Sequence, residues 1–220
     1  MRSTKDTVFA MRGRSTLRRL RSETAALHAR AEQHVRILDE DASPADYQRY
    51  LAAMHGYHAP LELRFAAHAA LARVGFAAAL RQKRTLIERD LAVLGDRRMA
   101  WPACPRLPEV GPLPRAVGAA YVLEGSTLGG RYILAKLPPA LAPLRGRATA
   151  FLEGYGAETG ARWRAFGDVV LRAIASPTDE DEAVAGARET FARLVDWLAQ
   201  HEAPVIARAT ARPLAAREAS

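Results

Sequence analysis

From Ser15 onward the apolar residues recur three and four positions apart, and no stretch alternates apolar with polar. A helix buries such a stripe on one face, whereas a half-buried strand needs a period of two. The pattern therefore predicts an all-α fold of roughly six to eight helices in one domain. Ser15 is placed to cap a first helix carrying Leu17, Leu20, Thr24, Leu27, His28 and Ala31. Ser43-Pro44 opens a second in the favoured cap-then-proline order, with Tyr47, Leu51, Met54, Tyr57 and His58 along it. Pro60 is expected to bend or restart that helix. Residues 78–94 repeat the stripe, and the proline-rich run from Trp101 to Pro114 predicts an irregular connection. A helix from Arg115 to Leu137 is stopped by Pro138-Pro139. Residues 145–175 read as helical with an interruption near Gly154–Gly160, and Thr178 starts a last helix through Val184, Phe191, Leu194 and Leu198.

The ends lie outside this pattern. Residues 1–13 are expected to form a flexible arm, 14–202 the helical domain, and 203–220 a flexible basic tail. With 49% hydrophobic and 25% charged residues, the 220-residue chain can bury a core and is not a disordered tail. The formal charge of +8 asks for an anionic partner without naming it, and part of that charge belongs to the ends. One cysteine, Cys104, rules out an intrachain disulfide and any Cys-rich zinc or iron–sulfur site. No apolar run approaches the roughly 20 residues of a membrane span, and the basic start has no apolar core behind it. These features together predict a cytoplasmic protein with no membrane partner.

Glycines in the middle of a helical stretch demand a reason. In GAAYVLEGSTLGG (118–130), Gly125 and Gly129 share a face, Gly130 lies beside them, and Gly118 sits seven residues earlier on the same stripe. Each costs about 1 kcal/mol relative to alanine in a helix interior, so the three at 125–130 cost about 3 kcal/mol. Either a helix or a flat ligand approaches the backbone closely, or the helix bends there. Arg115, Glu124 and Arg131 argue against a membrane GxxxG pair, and no Gly-Lys-Ser/Thr follows to make a phosphate loop.

In the first helix, LRSETAALHARAEQH, His28 lies on or near the apolar stripe, as a core histidine or as a ligand. Glu32, four residues on, is placed to orient its ring. A zinc site on this pair lacks a third ligand and an HExxH motif. His55, His58, His68 and His201 read as surface or core fillers. Cys104 sits between prolines without an evident base, and no Gly-x-Ser-x-Gly elbow is present, so nucleophilic hydrolysis has little support. Nucleic-acid binding is disfavoured because no helix shows a basic face beside a turn-helix partner.

The two segments together resemble the heme oxygenase family. LRSETAALHARAE is similar to that family's proximal helix, with His28 in the place of the iron ligand and Glu32 in that of the acidic residue one turn on. YVLEGSTLGG resembles its glycine-bearing distal helix, closest to the bacterial members associated with bacteriophytochromes, and GYGAETGARWRAF is similar to the same branch. The resemblance implies a heme sandwiched between a proximal and a distal helix. His28 is then the axial ligand of the iron, with Gly125, Ser126 and Gly129 on the catalytic oxygen side. Arg21 and Arg164 become candidates for the propionates, although both also read as solvated surface arginines. Thr24, Tyr121 and Gly130 complete the implied heme contacts, with Tyr121 equally readable as core. Many family members carry an Asp after the first distal glycine; here that position is Ser126, and Glu124 is an uncertain substitute on another face.

The reaction implied is oxidative cleavage of heme, both substrate and cofactor, with O2 and electrons to biliverdin, CO and ferrous iron. No flavin or nicotinamide motif is present, so electrons must come from a ferredoxin, flavodoxin or reductase, and a bacteriophytochrome is a candidate biliverdin acceptor. The alternative is a non-catalytic heme-binding or heme-delivery protein on the same fold.

Overall fold

The computed structural model describes residues 4–98 and 100–201, with side chains from Ser15 onward. Eight α-helices are found there: α1 (Thr4–Gln33), α2 (Pro44–Ala67), α3 (Ala69–Arg73), α4 (Arg84–Val93), α5 (Leu113–Ala135), α6 (Ala150–Glu153), α7 (Thr159–Ala173) and α8 (Pro177–Ala199). No strand occurs among the described residues, and no helix there is long and apolar enough to cross a membrane.

Local signals account for several boundaries. Ser43 accepts from the Asp46 N–H while the Asp46 carboxylate accepts from the Ser43 N–H, a capping box with Pro44 just inside α2. Ser176, Pro177 and Asp179 repeat the device at α8, one residue ahead of the expected Thr178 start. The glycine-rich interruption falls between α6 and α7, as expected.

Two boundaries differ from expectation. Ser15 lies inside α1, which begins at Thr4, so the backbone of residues 4–13 is helical and continuous with the first helix. Nothing in that stretch stops a helix: it has no proline, and Gly13 alone costs only about 1 kcal/mol. The expected tail, 203–220, lies outside the described residues. Pro60 also stays inside α2, which continues to Ala67. Proline withdraws the N–H that the Gly56 carbonyl would have received. The Cys104 N–H takes its place at 2.9 Å, so the 102–104 segment docks where the helix ladder has a gap. A side chain at Gly56 would collide with the Pro102 carbonyl in that docked segment.

Two helices start on signals from elsewhere in the chain. The Glu62 carboxylate of α2 accepts from the Lys83 and Arg84 N–H groups, at 2.8 and 3.3 Å, where α4 begins. The Asp90 carboxylate of α4 accepts from Ala150 and Phe151, at 2.9 and 2.8 Å, where α6 begins. Neither α4 nor α6 has a side-chain cap of its own. A carboxylate suits both positions because the first N–H groups of a helix lack internal partners.

α8 is the floor on which the two site helices rest. α5 lies on it through reciprocal glycines: Gly118 abuts the Ala183 main chain, and a Cβ on Gly186 would come within 2.5–3.0 Å of the Arg115 main chain. α1 is tied to the same helix by Thr16 Oγ1 donating to Glu180 at 2.6 Å and by Arg188 pairing with Glu23 at 2.6 Å. α7 flanks α1, with the Leu17 methyl 3.7 Å from where a Gly167 Cβ would stand. Leu20, Tyr57, Leu61, Val117, Phe166 and Val170 fill the core beneath.

Candidate functional site

α5 presents an unfilled face. At 100° per residue, Tyr121, Gly125, Leu128, Gly129 and Tyr132 share a sector about 100° wide. A Cβ on Gly125 or Gly129 would meet nothing within 4 Å. Leu128 and Tyr132 are 44% and 56% exposed, high for large apolar side chains on a helix otherwise rich in buried positions. Protein packing therefore explains neither glycine.

The other two glycines of the cluster have a different cause. Gly118 is filled by α8, and a Cβ on Gly130 would stand 2.7 Å from the Leu152 carbonyl of α6. Gly130 thus permits helix packing and turns away from the open face, which corrects its expected place beside a flat ligand. Thr127 also points inward, buried and donating to the Glu124 carbonyl. Ser126 is half-buried and donates to the Leu123 carbonyl at 2.7 Å, which leaves its oxygen lone pairs available. Glu124 is 2% exposed and bound to Arg81, Lys83 and Tyr155, so it does not substitute for a carboxylate on the open face.

α1 carries Arg21, Thr24 and His28. The His28 side chain is 55% exposed, so it is not a core histidine. Its Nδ1 lies 3.4 Å from Glu32 Oε1, and its ring meets Phe191 of α8 edge-on at 5.5 Å between centroids. Nε2 has no hydrogen-bond partner among the described residues. Arg21 is exposed and makes no ion pair there. Thr24 is buried and donates to the Leu20 carbonyl at 2.7 Å.

Tyr121 links the two helices. Its hydroxyl reaches Thr24, and the Arg21 charge acts on it. Burial raises the Tyr121 phenol above its ordinary value, and the Thr24 hydroxyl and Arg21 pull it partly back. Its ring lies 6.0 Å from that of Trp163 on α7. Arg164, next to Trp163, is exposed and makes no ion pair among the described residues.

Histidine and cysteine sites elsewhere are accounted for structurally. His55 pairs with Glu88 and stacks near Trp101, His58 is buried beside Glu62, and His201 packs on Trp197. His68 does more than fill space: its Nδ1 accepts from Leu71 and caps α3. Cys104 is buried and donates to the Arg106 carbonyl, and burial raises its thiol. No group of three or more His, Cys, Asp or Glu arranged for a metal ion exists among the described residues.

Leu128, Tyr132 and Phe191 were not anticipated at the site. The first two lie three and seven residues beyond Gly125 and follow from extending the glycine face along the helix. Phe191 comes from a distant helix and has no local signal.

Comparison with known proteins adds three findings. The sequence model of one family, described as heme oxygenase, matches residues 14–200. The solved NO- and CO-bound heme oxygenase from Neisseria meningitidis superposes with a TM-score of 0.69 at 22% identity, covering 84% of this chain and 91% of that one. That likeness shows a shared fold. No curated protein sequence matches the chain.

Proposed function

The chain belongs to the heme oxygenase family, and on that premise we propose that it binds heme between α1 and α5 and cleaves it oxidatively, with O2 and external electrons, to biliverdin, CO and ferrous iron. The observation that carries this reading is the open face at Gly125 and Gly129, where added Cβ atoms would meet nothing within 4 Å. A flat macrocycle needs such a face, because any side chain there holds it away from the helix backbone.

The residues present fit the ring on both sides. His28 would offer Nε2 to the iron, and Glu32, 3.4 Å from Nδ1, would help to orient the ring. Arg21 and Arg164 are free to meet the two propionates. Leu128 and Tyr132 give the macrocycle apolar contact. The bound heme supplies the redox chemistry, and the protein supplies orientation and hydrogen bonding. On the oxygen side the α5 face turns Gly125 and Gly129 outward, where an added side chain would meet no protein atom within 4 Å. Ser126 serves there as a water-holding group, its own proton being held by the Leu123 carbonyl. With heme bound, the two glycines would leave room beside the ring, and Ser126 Oγ would offer its lone pairs to a water there in place of a carboxylate. Electrons come from a separate ferredoxin, flavodoxin or reductase in a cytoplasmic setting, with a bacteriophytochrome as one acceptor of the product.

Hemin titration followed by ascorbate or reduced ferredoxin under air tests the reading. A heme absorption band that gives way to a biliverdin spectrum is expected. A band that forms and persists identifies a heme-binding protein without turnover. His28→Ala should lose the wild-type band and the product; if it binds and degrades heme unchanged, the ligand assignment is wrong.

A further inference from the structure

Behind the open face, on the flank of α5 turned toward α4, lies a buried polar cluster with no part in the heme contacts above. Glu124, one residue before Gly125, is at its centre. Its Oε1 accepts from Lys83 Nζ at 3.0 Å and from the Tyr155 hydroxyl at 2.9 Å, and its Oε2 accepts from Arg81. Lys83 is 1% exposed, and its three ammonium protons go to Glu124, to the Tyr155 oxygen at 3.0 Å and to the Arg81 carbonyl at 3.2 Å. The Lys83 N–H in turn is held by Glu62 of α2. The segment ahead of α4 and the loop between α6 and α7 therefore converge on one carboxylate of α5, and Glu62 ties α2 to the same Lys83.

Tyr155 belongs to the GYGAETG segment, whose role the heme contacts leave unexplained. The Arg162 guanidinium covers its ring at 4.8 Å. The preceding Gly154 has φ +59°, and a Cβ there would stand 3.3–3.4 Å from Thr127 on α5. This loop thus touches α5 at two points, residues 124 and 127, that straddle Gly125. Within the same turn, Ser126 and Thr127 back-bond to the carbonyls of residues 123 and 124, a pattern that bends helices.

Burying a lysine, an arginine and two glutamates is no efficient way to stabilise a fold, since apolar residues of equal volume do as well or better. What such a network supplies is one fixed geometry, because its charged groups and the Tyr155 hydroxyl hold one another.

We propose that the Arg81–Lys83–Glu124–Tyr155 cluster is a clamp that fixes the position of the Gly125–Gly129 segment over the substrate, with Lys83 and Tyr155 as positioning residues for the oxygen side. The part concerning substrate rests on the heme reading; the clamping of α5 does not. Tyr155 holds the loop side and Lys83 the α4 side. Both act through Glu124, and neither touches the ring.

The experiment uses the full chain with Tyr155→Phe, which keeps the ring under Arg162, and a second variant, Lys83→Met with Glu124→Gln, which removes one charge of each sign. Hydrogen–deuterium exchange of the ligand-free proteins is read first. Amides 125–133 should exchange at least tenfold faster in both variants, while those of α8 keep their wild-type rates. In the hemin complexes, the absorption spectrum of the ferric form and the ratio of biliverdin isomers should both shift, with hemin affinity changed no more than about threefold. Unaltered exchange at 125–133 in both variants overturns the clamp, as does a uniform rise across α5 and α8, which is plain destabilisation. Faster exchange at 125–133 with an unaltered spectrum and isomer ratio overturns the link to substrate. A wild-type protein that takes up no hemin overturns the heme reading, and the ligand-free exchange still decides the clamp.

Discussion

Replacing Gly125 and Gly129 together by alanine should make the ligand-free protein more stable and a worse heme binder. Alanine in a helix interior is favoured over glycine by about 1 kcal/mol per position. Neither new methyl meets an atom within 4 Å, so no steric cost offsets that gain. The pair should add about 2 kcal/mol, which for a chain of this size raises the melting temperature by roughly 4–8 °C. Gly118→Ala should do the opposite. Its methyl would stand inside contact distance of the Ala183 carbonyl, and overpacking of this kind costs about 1–3 kcal/mol, more when backbone must move. Helices α5 and α8 would have to separate, and the melting temperature should fall. Thermal unfolding of the ligand-free variants reads the first effect and hemin titration the second. The double alanine should bind hemin at least tenfold more weakly, or about 1.4 kcal/mol. A double variant that melts below wild type would refute the claim that this face is open. One that melts higher but binds hemin as tightly would refute the claim that a flat ligand uses it.

Three further outcomes are expected. Arg21→Gln and Arg164→Gln should each weaken hemin binding several-fold and leave the melting temperature unchanged, because neither guanidinium pairs with a described carboxylate; a fall in melting temperature without a change in affinity would contradict this. Asp90→Ala should lower stability by about 1–3 kcal/mol, read by urea unfolding, since two amides at the start of α6 lose their acceptor. Burial holds the His58 imidazole below its ordinary value, against the opposing pull of Glu62, so the stability tied to its neutral ring is present above about pH 6.5 and is lost as pH falls. Between pH 7 and 5, wild type should therefore lose more stability than His58→Gln, with a difference in slope of at most about 1.4 kcal/mol per pH unit; parallel slopes would contradict the assignment.

Signals that act within one turn were legible in the sequence. Ser43-Pro44 starts α2 where the sequence says, because cap and capped N–H lie three positions apart, and α8 begins one residue ahead of the expected Thr178, on a Ser176–Asp179 box. The helical period gave the fold class and the order of the helices. Signals that cross the fold were not legible. Nothing near Arg84 or Ala150 announces a helix start, because the caps come from Glu62 and Asp90 on other helices. Pro60 looked like a break because the donor that completes its ladder, Cys104, is 44 residues away. The glycine cluster was read as a unit, yet Gly130 serves α6 and Gly125 serves the open face; helical spacing gives direction around an axis, not what stands there. Glu124 illustrates the same limit, since its partners Arg81, Lys83 and Tyr155 are all distant in sequence.

The borrowed caps give the folding of this chain a direction. The first amides of α4 gain their carboxylate partner once α2 brings Glu62 to them, and those of α6 once α4 brings Asp90. Each dependence runs from an earlier segment to a later one, so the helices can be completed in the order in which a ribosome delivers them. α6 is also the helix on which Gly130 rests. The second half of α5, which bears the open face, is therefore supported only after segments on either side of it in the sequence are in place. A chain ending before α6 would leave this half of α5 without the neighbour on which Gly130 rests.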